Sequence, residues 1–491
     1  MTDSQDQPTE AISRRAARET PPSDGAQSPV AGIRAAIAKH PAVWLFSALG
    51  VVFLLLATGA LFAGIASGSG RAATVPLASE SAAPPRTQPS AVPASTHLRT
   101  CSIASAAALP DLGTLAASVV NANTGEVLFD RAGTTPAPTG SVLKLLTAAA
   151  AIKVLGANAQ FTTRVVDGSS EGSIVLVGGG DPTLATTSDS FYEGAPLISD
   201  LAETAVAAYT AKHPGKPITQ IVLDSTLWNP TDNWDPSWPD SERAEGYLAY
   251  VTALQVDGDR ADPTQSESPR GDDPIGRAGQ AFADAAGLDD VSFSRGTAIG
   301  TTVLAEVKSQ PLSTLIGQML LTSDNTLAES IARLTSKGAG MDGSSGSVGQ
   351  IVPLTMKELG LDTTGLVIRD GSGESADNAV APVFVSRLLI KIRANEADLG
   401  QIYSGMPVGG QTGDLDDRFT GANEVAAGKV VAKPGWIDNE RSLAGIINSA
   451  DGTPLAFAFY GLGEAISFDT REALDTLTTA AYTCGDNLSN N

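Results

Sequence analysis

The chain has 491 residues, of which 42% are hydrophobic and 18% are charged, so it is long enough for more than one folded unit and unlike a disordered protein. Its formal net charge of −22 argues against a nucleic-acid partner, because phosphate backbones bind clustered Lys and Arg. Its three histidines and two cysteines are too few and too scattered for a structural zinc site. We therefore expect no metal and no cofactor.

The first 100 residues indicate an exported protein. Residues 1–41 are polar and have the composition of a disordered tail. Residues 42–66 are uncharged and apolar over the length that a bilayer requires, which predicts one transmembrane helix. Arg34 and Lys39 precede it, so the positive-inside tendency puts the N-terminus in the cytoplasm and everything after residue 66 outside the cell membrane. A cleaved secretory signal remains an alternative, and it gives the same compartment.

A spacer separates this segment from the folded part. Residues 67–100 are rich in Ser, Ala, Pro and Thr, as in a semi-extended linker. Folded sequence begins near Cys101, and the second cysteine, Cys484, lies close to the C-terminus. In an oxidising compartment the two can pair and join the first and last elements of the domain, although two separate buried thiols remain an alternative.

The two ends of the folded part have the pattern of one sheet. Residues 115–120 and 127–129 predict a hairpin, and residues 443–447 and 455–460 predict another. A helical stretch, 469–482, follows the second hairpin. These elements predict that strands from both chain ends share a sheet with terminal helices packed on it.

The middle of the chain has a different pattern. Residues 157–290 contain short strands, such as 173–177 and 218–223, that Gly, Pro and Asp clusters interrupt. We interpret this stretch as one or more inserted subdomains within a main domain formed by 101–156 and 291–491.

The first candidate for chemistry is a turn that runs into an apolar helix. Ser141 and Lys144 open this helix at positions i and i+3, which share a face. A desolvated lysine can remove the serine proton and so activate the hydroxyl as a nucleophile. Taken alone, the pattern also fits an N-capping serine beside a solvent-facing lysine. A Ser-His-Asp site would depend on His213, which sits in a turn-like segment, and we do not favour it.

Two further motifs favour a catalytic role for Ser141 and Lys144 over the N-capping alternative. Ser323 and Asn325 precede a helical run, and such a Ser-x-Asn offers a hydroxyl for proton relay and an amide for binding a peptide group. Lys433-Pro434-Gly435-Trp436 precedes the strand at Leu443 and stands where a Lys-Thr-Gly strand would hold a substrate carboxylate.

With these three motifs in this order, the chain resembles the penicillin-binding proteins with D-alanyl-D-alanine carboxypeptidase and endopeptidase activity, in the class C, low-molecular-mass group (peptidase family S13). The long interval between Ser141 and Ser323 leaves space for the insertion of that group. Other segments are similar to it as well: 176–182, 370–375 and 406–410. The resemblance covers about residues 101–485.

The resemblance implies an α/β (α+β) fold of the penicillin-binding, serine β-lactamase-like transpeptidase type, with an antiparallel sheet, flanking helices and an insertion. It implies that Ser141 attacks the peptide carbonyl, Lys144 is the base, Ser323 relays the proton and Asn325 binds the substrate amide. Lys433, Gly435 and Trp436 then belong to the substrate-binding strand, and the N–H groups of Ser141 and Trp436 form an oxyanion hole. The implied ligands are peptidoglycan peptides and β-lactams.

Two positions depart from the family pattern. Pro434 stands where the family usually has Thr, so the hydroxyl that grips the terminal carboxylate is missing. Glu374 stands where an apolar residue is expected in the Asp-Gly-Ser-Gly segment. A peptidase with a rearranged carboxylate site, an enzyme for internal crosslinks, and a non-catalytic homologue that binds wall peptides all remain open.

Overall fold

The computed structural model describes residues 98–300, 302–464 and 466–491, all within one unit, Ala94–Asn491. The expected tail (1–41) and transmembrane helix (42–66) lie outside these residues, as does almost all of the linker. None of the helices that the structure describes is long and apolar enough to cross a membrane.

The strands follow in chain order: β1 (Cys101–Ser102), β2 (Thr114–Asn121), β3 (Val127–Arg131), β4 (Thr162–Asp167), β5 (Ser173–Val177), β6 (Gln220–Asp224), β7 (Ser292–Arg295), β8 (Val303–Lys308), β9 (Val430–Ile437), β10 (Glu440–Asn448), β11 (Pro454–Leu462) and β12 (Leu488–Ser489). The helices are α1 (Ala104–Ala107), α2 (Lys144–Leu155), α3 (Ile198–Lys212), α4 (Ser241–Glu245), α5 (Pro274–Ala286), α6 (Leu312–Leu321), α7 (Asn325–Gly338), α8 (Ser345–Glu358), α9 (Pro382–Arg393), α10 (Gly400–Gly405) and α11 (Asp469–Cys484).

The main sheet brings the two chain ends together. Strand β10 pairs antiparallel with β9 on one side and with β11 on the other. The β2–β3 hairpin lies along β11, where Gly113 bridges Leu462 at one end and the Ala122 N–H donates to Pro454 O at the other (2.9 Å). The prediction that both predicted hairpins share one antiparallel sheet is therefore confirmed.

Successive side chains of β11 point alternately into two hydrophobic cores. Ala456, Ala458 and Tyr460 pack with the helices on one face, whereas the intervening residues 455, 457 and 459 pack beneath α11 on the other. This follows from the two-residue period of a strand that is covered on both faces. Helix α2 is buried from Lys144 to Ile152 at the centre of the first core, as expected for a helix that is apolar on all sides.

The insertion has a sheet and a core of its own. Its strand order is β7-β6-β5-β4-β8, with α3 and α5 packed against it. Strands β7 and β8 belong to this sheet, although both lie beyond residue 290. The expected boundary at 290 is therefore too early, because these strands close the sheet by pairing with β6 and β4.

The chain ends of the catalytic unit are covalently joined. Cys101 and Cys484 form a disulfide with a Cα–Cα distance of 5.5 Å. Strands β1 and β12 pair in parallel beside it. This confirms the predicted pairing of the two cysteines, and it ties the first strand to the end of α11.

Candidate active site

Ser141 and Lys144 meet where a 3₁₀ turn, Gly140–Leu143, runs into α2. The Lys144 amine lies 2.8 Å from the Ser141 hydroxyl oxygen. The lysine is fully buried, whereas Ser141 lines an open cleft. The alternative of a solvent-facing lysine is therefore wrong, because the whole start of α2 is inside the protein.

The surroundings of Lys144 favour its neutral form. Its amine donates to the side-chain oxygen of Asn325 (2.6 Å) and to the backbone oxygen of Ser372 (2.9 Å). Burial lowers the pKa of Lys144 to about 7, and the charge of Lys433 also lowers it. A lysine of this pKa is substantially unprotonated at neutral pH, as a general base must be.

The second motif is held in place by residues of the insertion. Asp324 caps α7 by accepting from the Leu327 N–H (2.8 Å). Its other oxygen accepts from Arg260 and from the Tyr192 hydroxyl, each at 2.8 Å. Although burial opposes ionisation, Arg260 and Arg270 lower the pKa of Asp324 to about 2. This buried charge network fixes the start of α7 and therefore the position of Asn325.

Ser323 occupies an uncommon backbone conformation beside the same cleft. Its φ is 58°, in the left-handed region that a side chain rarely adopts. Such strained residues gather at functional sites, where the surrounding structure holds them. Among the described residues, its hydroxyl makes no hydrogen bond to Ser141 or Lys144, so the structure brings Ser323 to the cleft without joining it to that pair.

The Asp-Gly-Ser-Gly loop supports Lys144 from behind. Glu329 of α7 accepts from the N–H groups of Gly371 (2.9 Å) and Ser372 (2.7 Å). Glu374, two residues after Ser372, accepts a hydrogen bond from the Asn325 amide nitrogen at 3.0 Å. Asn325 is therefore fixed at both ends of its side-chain amide, by Lys144 and by Glu374.

Glu374 lines the cleft opposite a second acidic residue. Burial and, to a smaller extent, the charge of the nearby Glu242 of the insertion raise the pKa of Glu374 to about 8. Burial likewise raises the pKa of Glu242 to about 7. Glu374 was noted from the sequence only as a departure from the family pattern, and its contact with Asn325 has no local signal.

The third motif forms part of β9, at the edge of the main sheet. Lys433 is fully buried, and its amine donates to Asp414 (3.0 Å) and to the backbone oxygen of Pro434 (3.1 Å). Burial lowers the pKa of Lys433, and Asp414 opposes that shift. The charge of Lys433 is thus already paired, and Pro434 adds no hydroxyl beside it.

The turn before α2 approaches β9 closely enough to require glycine. A Cβ on Gly140, which has φ 47°, would lie 2.6 Å from the Trp436 nitrogen. A Cβ on Gly435 would lie 2.9 Å from the Ser141 nitrogen. The Ser442 hydroxyl also donates to Thr139 O (2.7 Å), which fastens the turn to β10. The backbone nitrogens of Ser141 and Trp436 therefore both lie at the close contact between this turn and β9, where an oxyanion hole would need them.

These features surround one cleft of about 780 Å³. The motif residues that line it are Ser141, Ser323, Asn325, Pro434, Gly435 and Trp436. The insertion contributes Glu242, Arg260 and Arg270 to the opposite side. The arrangement combines the Ser141 hydroxyl, the buried Lys144 amine and nearby backbone nitrogens. Such a set of groups can support acyl transfer to a serine.

Known proteins share this architecture. The crystal structure of penicillin-binding protein 4 from Haemophilus influenzae has a TM-score of 0.64 to this chain at 20% identity, covering 77% of this chain and 98% of that one. Its complex with a β-lactam has a TM-score of 0.57 at 18% identity, covering 77% and 98%. The chain therefore has the penicillin-binding fold that its motifs predicted.

Sequence similarity identifies the family, within this fold, to which the chain belongs. The D-Ala-D-Ala carboxypeptidase 3 (S13) family matches residues 100–289 and 277–481. Carboxypeptidase DacB of Mycolicibacterium smegmatis is 33% identical over 395 residues, which cover 78% of this chain and 84% of that protein. A D-alanyl-D-alanine carboxypeptidase of Actinomadura is 28% identical over 424 residues, which cover 71% and 77%. The chain belongs to the D-Ala-D-Ala carboxypeptidase 3 (S13) family.

Proposed function

We propose that this protein is a serine-type D-alanyl-D-alanine carboxypeptidase and endopeptidase that acts on peptidoglycan stem peptides and binds penicillin. The observation that carries the proposal is the 2.8 Å contact between Ser141 and the fully buried Lys144. Family membership supports the substrate class.

The reaction proceeds in two halves through an acyl-enzyme. Neutral Lys144 takes the proton of Ser141, whose oxygen attacks the carbonyl carbon between two D-alanines. The backbone N–H groups of Ser141 and Trp436 stabilise the resulting oxyanion. Ser323 relays the proton from Lys144 to the leaving amine as the C–N bond breaks, which returns Lys144 to its neutral form, and Asn325 holds the substrate amide. Water then cleaves the ester and restores the Ser141 hydroxyl.

Fluorescent penicillin tests this proposal directly. We expect one covalent label on the full chain, located at Ser141, and no label after Ser141→Ala. Ser105→Ala, an exposed serine of α1, is the matched control and keeps the label. An intact wild-type protein that takes no label contradicts the acyl-enzyme.

A second candidate is a homologue that binds wall peptides without turning them over. The pairing of Lys433 with Asp414 and the missing hydroxyl at Pro434 favour it. Incubation with purified muropeptides separates the two, because an enzyme releases D-alanine or splits crosslinked dimers. Saturable binding with neither product supports the second candidate.

We also infer that residues 42–66 anchor the catalytic domain outside the cell membrane. The apolar length, the preceding Arg34 and Lys39, and the disulfide, which suits an oxidising compartment, support this placement. The full chain should stay with membranes after an alkaline wash, and protease added to intact spheroplasts should digest the catalytic domain. Release of a shortened chain into the medium would instead indicate a cleaved leader.

A further inference from the structure

The altered strand β9 leaves a substrate carboxylate without its usual partners. Pro434 supplies no hydroxyl, and the amine of Lys433 is paired with Asp414 at 3.0 Å. A carboxypeptidase substrate nevertheless ends in a carboxylate that must lie near the nucleophile. Desolvating that anion without a cation or donor is unfavourable, so another group has to receive it.

Arg441 is placed to be that group. It lies on β10 directly opposite Trp436 of β9, and it lines the same cleft as Ser141 and Pro434. Its guanidinium stands over the Trp436 ring, with 5.1 Å to the centroid, and 5.9 Å from the centroid of Phe468. The two rings flank the arginine side chain and limit where its guanidinium can point.

The charge of Arg441 is not neutralised within the part of the chain that the structure describes. No carboxylate there lies within ion-pair distance of it, and its buried Nε has no hydrogen-bond partner. The two other arginines beside it are paired instead. Arg418 binds Asp475 at 2.7 Å, and Arg471 binds Asp417 at 2.6 Å.

The neighbouring charges make Arg441 a site for an anion. Burial and the like charges of Arg471 and Arg418 lower the pKa of Arg441, while the adjacent Glu440 opposes this shift. An anion bound to the guanidinium from the cleft relieves this repulsion. A planar guanidinium binds a carboxylate through two parallel hydrogen bonds, which gives orientation as well as charge.

We propose that Arg441 binds the C-terminal carboxylate of the substrate, in the role that Pro434 cannot fill. This inference rests on the proposed function, and it makes Arg441 the residue that distinguishes a free carboxyl terminus from an internal bond. An enzyme with this contact prefers carboxypeptidase substrates. An enzyme without this contact cleaves substrates with a terminal carboxylate and with a terminal amide at similar rates.

The test compares an acylated tripeptide that ends in D-alanyl-D-alanine with the same peptide carrying a C-terminal amide. We expect Arg441→Met to lower kcat/KM on the free acid by roughly 10- to 100-fold and to leave the amide within about threefold. Arg441→Lys should fall between wild type and Arg441→Met, because the charge remains and the paired hydrogen bonds do not.

Arg471→Met is the matched control, since it removes a neighbouring positive charge that is already paired with Asp417. We expect it to change the acid-to-amide ratio by less than about threefold. An equal loss in both arginine variants would overturn the assignment to Arg441 in favour of a general field. An equal loss on acid and amide, or no loss, would overturn it as well.

Penicillin methyl ester, which lacks the free carboxylate, separates this proposal from the proposed function. If the ester labels Ser141 at the same rate in wild type and Arg441→Met, the variant is folded and its acylation chemistry is intact. If no β-lactam labels wild-type Ser141 and neither peptide is cleaved, the proposed function itself fails. If Ser141 is labelled but the acid-to-amide ratio is unchanged in Arg441→Met, only the carboxylate site at Arg441 is contradicted, and the proposed function still holds.

Discussion

The two sides of the cleft are built differently. On the side of α2, Ser141, Lys144 and Asn325 form a continuous set of short contacts that buried groups hold from every direction. On the side of β9, the motif keeps Lys433 and Gly435 but has lost the hydroxyl between them. Ser141, Lys144 and Asn325 thus match the motifs on which the resemblance rests, whereas Pro434 does not.

This difference shows which part of the site tolerates change. A change at Lys144 would leave Asn325 and Ser372 without a buried partner, so many contacts constrain that residue. Pro434 lies on an edge strand next to an open cleft, where the missing N–H of proline is tolerated. Under the proposed function, substrate selection can therefore vary while the acylation chemistry stays in place.

The strongest test of the constrained side is Lys144→Met. We expect acylation by penicillin to slow by at least about 10³-fold, because Ser141 loses its base. Stopped-flow or gel-based labelling measures this rate. Lys153→Met, an exposed lysine on the same helix, is the control and should label at the wild-type rate. Labelling of Lys144→Met at a comparable rate would assign the base elsewhere.

The pH dependence of wild-type labelling probes the same side. Lys144 is active when neutral, and its pKa is lowered to about 7, so the rate should level off above that pH. Below it, the neutral fraction falls tenfold per pH unit, which predicts a loss of about 100-fold by pH 5. A labelling rate that is flat from pH 5 to 8 would show that Lys144 does not titrate in this step.

On the altered side, Pro434→Thr restores the hydroxyl of the family pattern. We expect kcat/KM on a peptide ending in D-alanyl-D-alanine to rise by about tenfold, because a hydroxyl can donate to the terminal carboxylate. Pro434→Ala removes the ring without adding a donor and should give little of this gain. Equal gains in the two variants would mean that the ring, and not the hydroxyl, limits the reaction.

The smallest expected effect concerns Glu374, which contacts Asn325 on the side of α2. Glu374→Leu removes the acceptor of the Asn325 amide nitrogen and should slow acylation by roughly three- to tenfold. Glu374→Gln keeps an acceptor of the same size and should stay within about twofold of wild type. A slower Gln variant than Leu variant would show that the carboxyl acts by its charge or proton.

Much of the site was predictable because it is local. Ser141 and Lys144 are three residues apart at the start of α2, and Ser323 and Asn325 are two apart at the start of α7, so the sequence alone keeps the members of each pair close. The hairpins were predictable for the same reason: the expected strand at 455–460 lies within Pro454–Leu462. Alternating and turn-forming residues identify such elements without tertiary information.

What could not be predicted depends on contacts between distant segments. The pairing of Lys433 with Asp414, of Glu374 with Asn325 and of Arg441 with the Trp436 ring needs the packed structure. The late boundary of the insertion was missed because β8 is a short strand that pairs with β4, far earlier in the chain. No local signal marks such a strand as belonging to the insertion.

The buried contacts of Asp324 couple the stability of the insertion to the proposed chemistry in the cleft. Arg260 and Tyr192 come from the insertion, yet they hold the residue that precedes Asn325. Linkage then runs in both directions: a ligand that orders Asn325 in the cleft stabilises the insertion, and local unfolding of the insertion disables acylation. We expect occupancy of the cleft by a β-lactam to slow hydrogen exchange in the amides around Arg260.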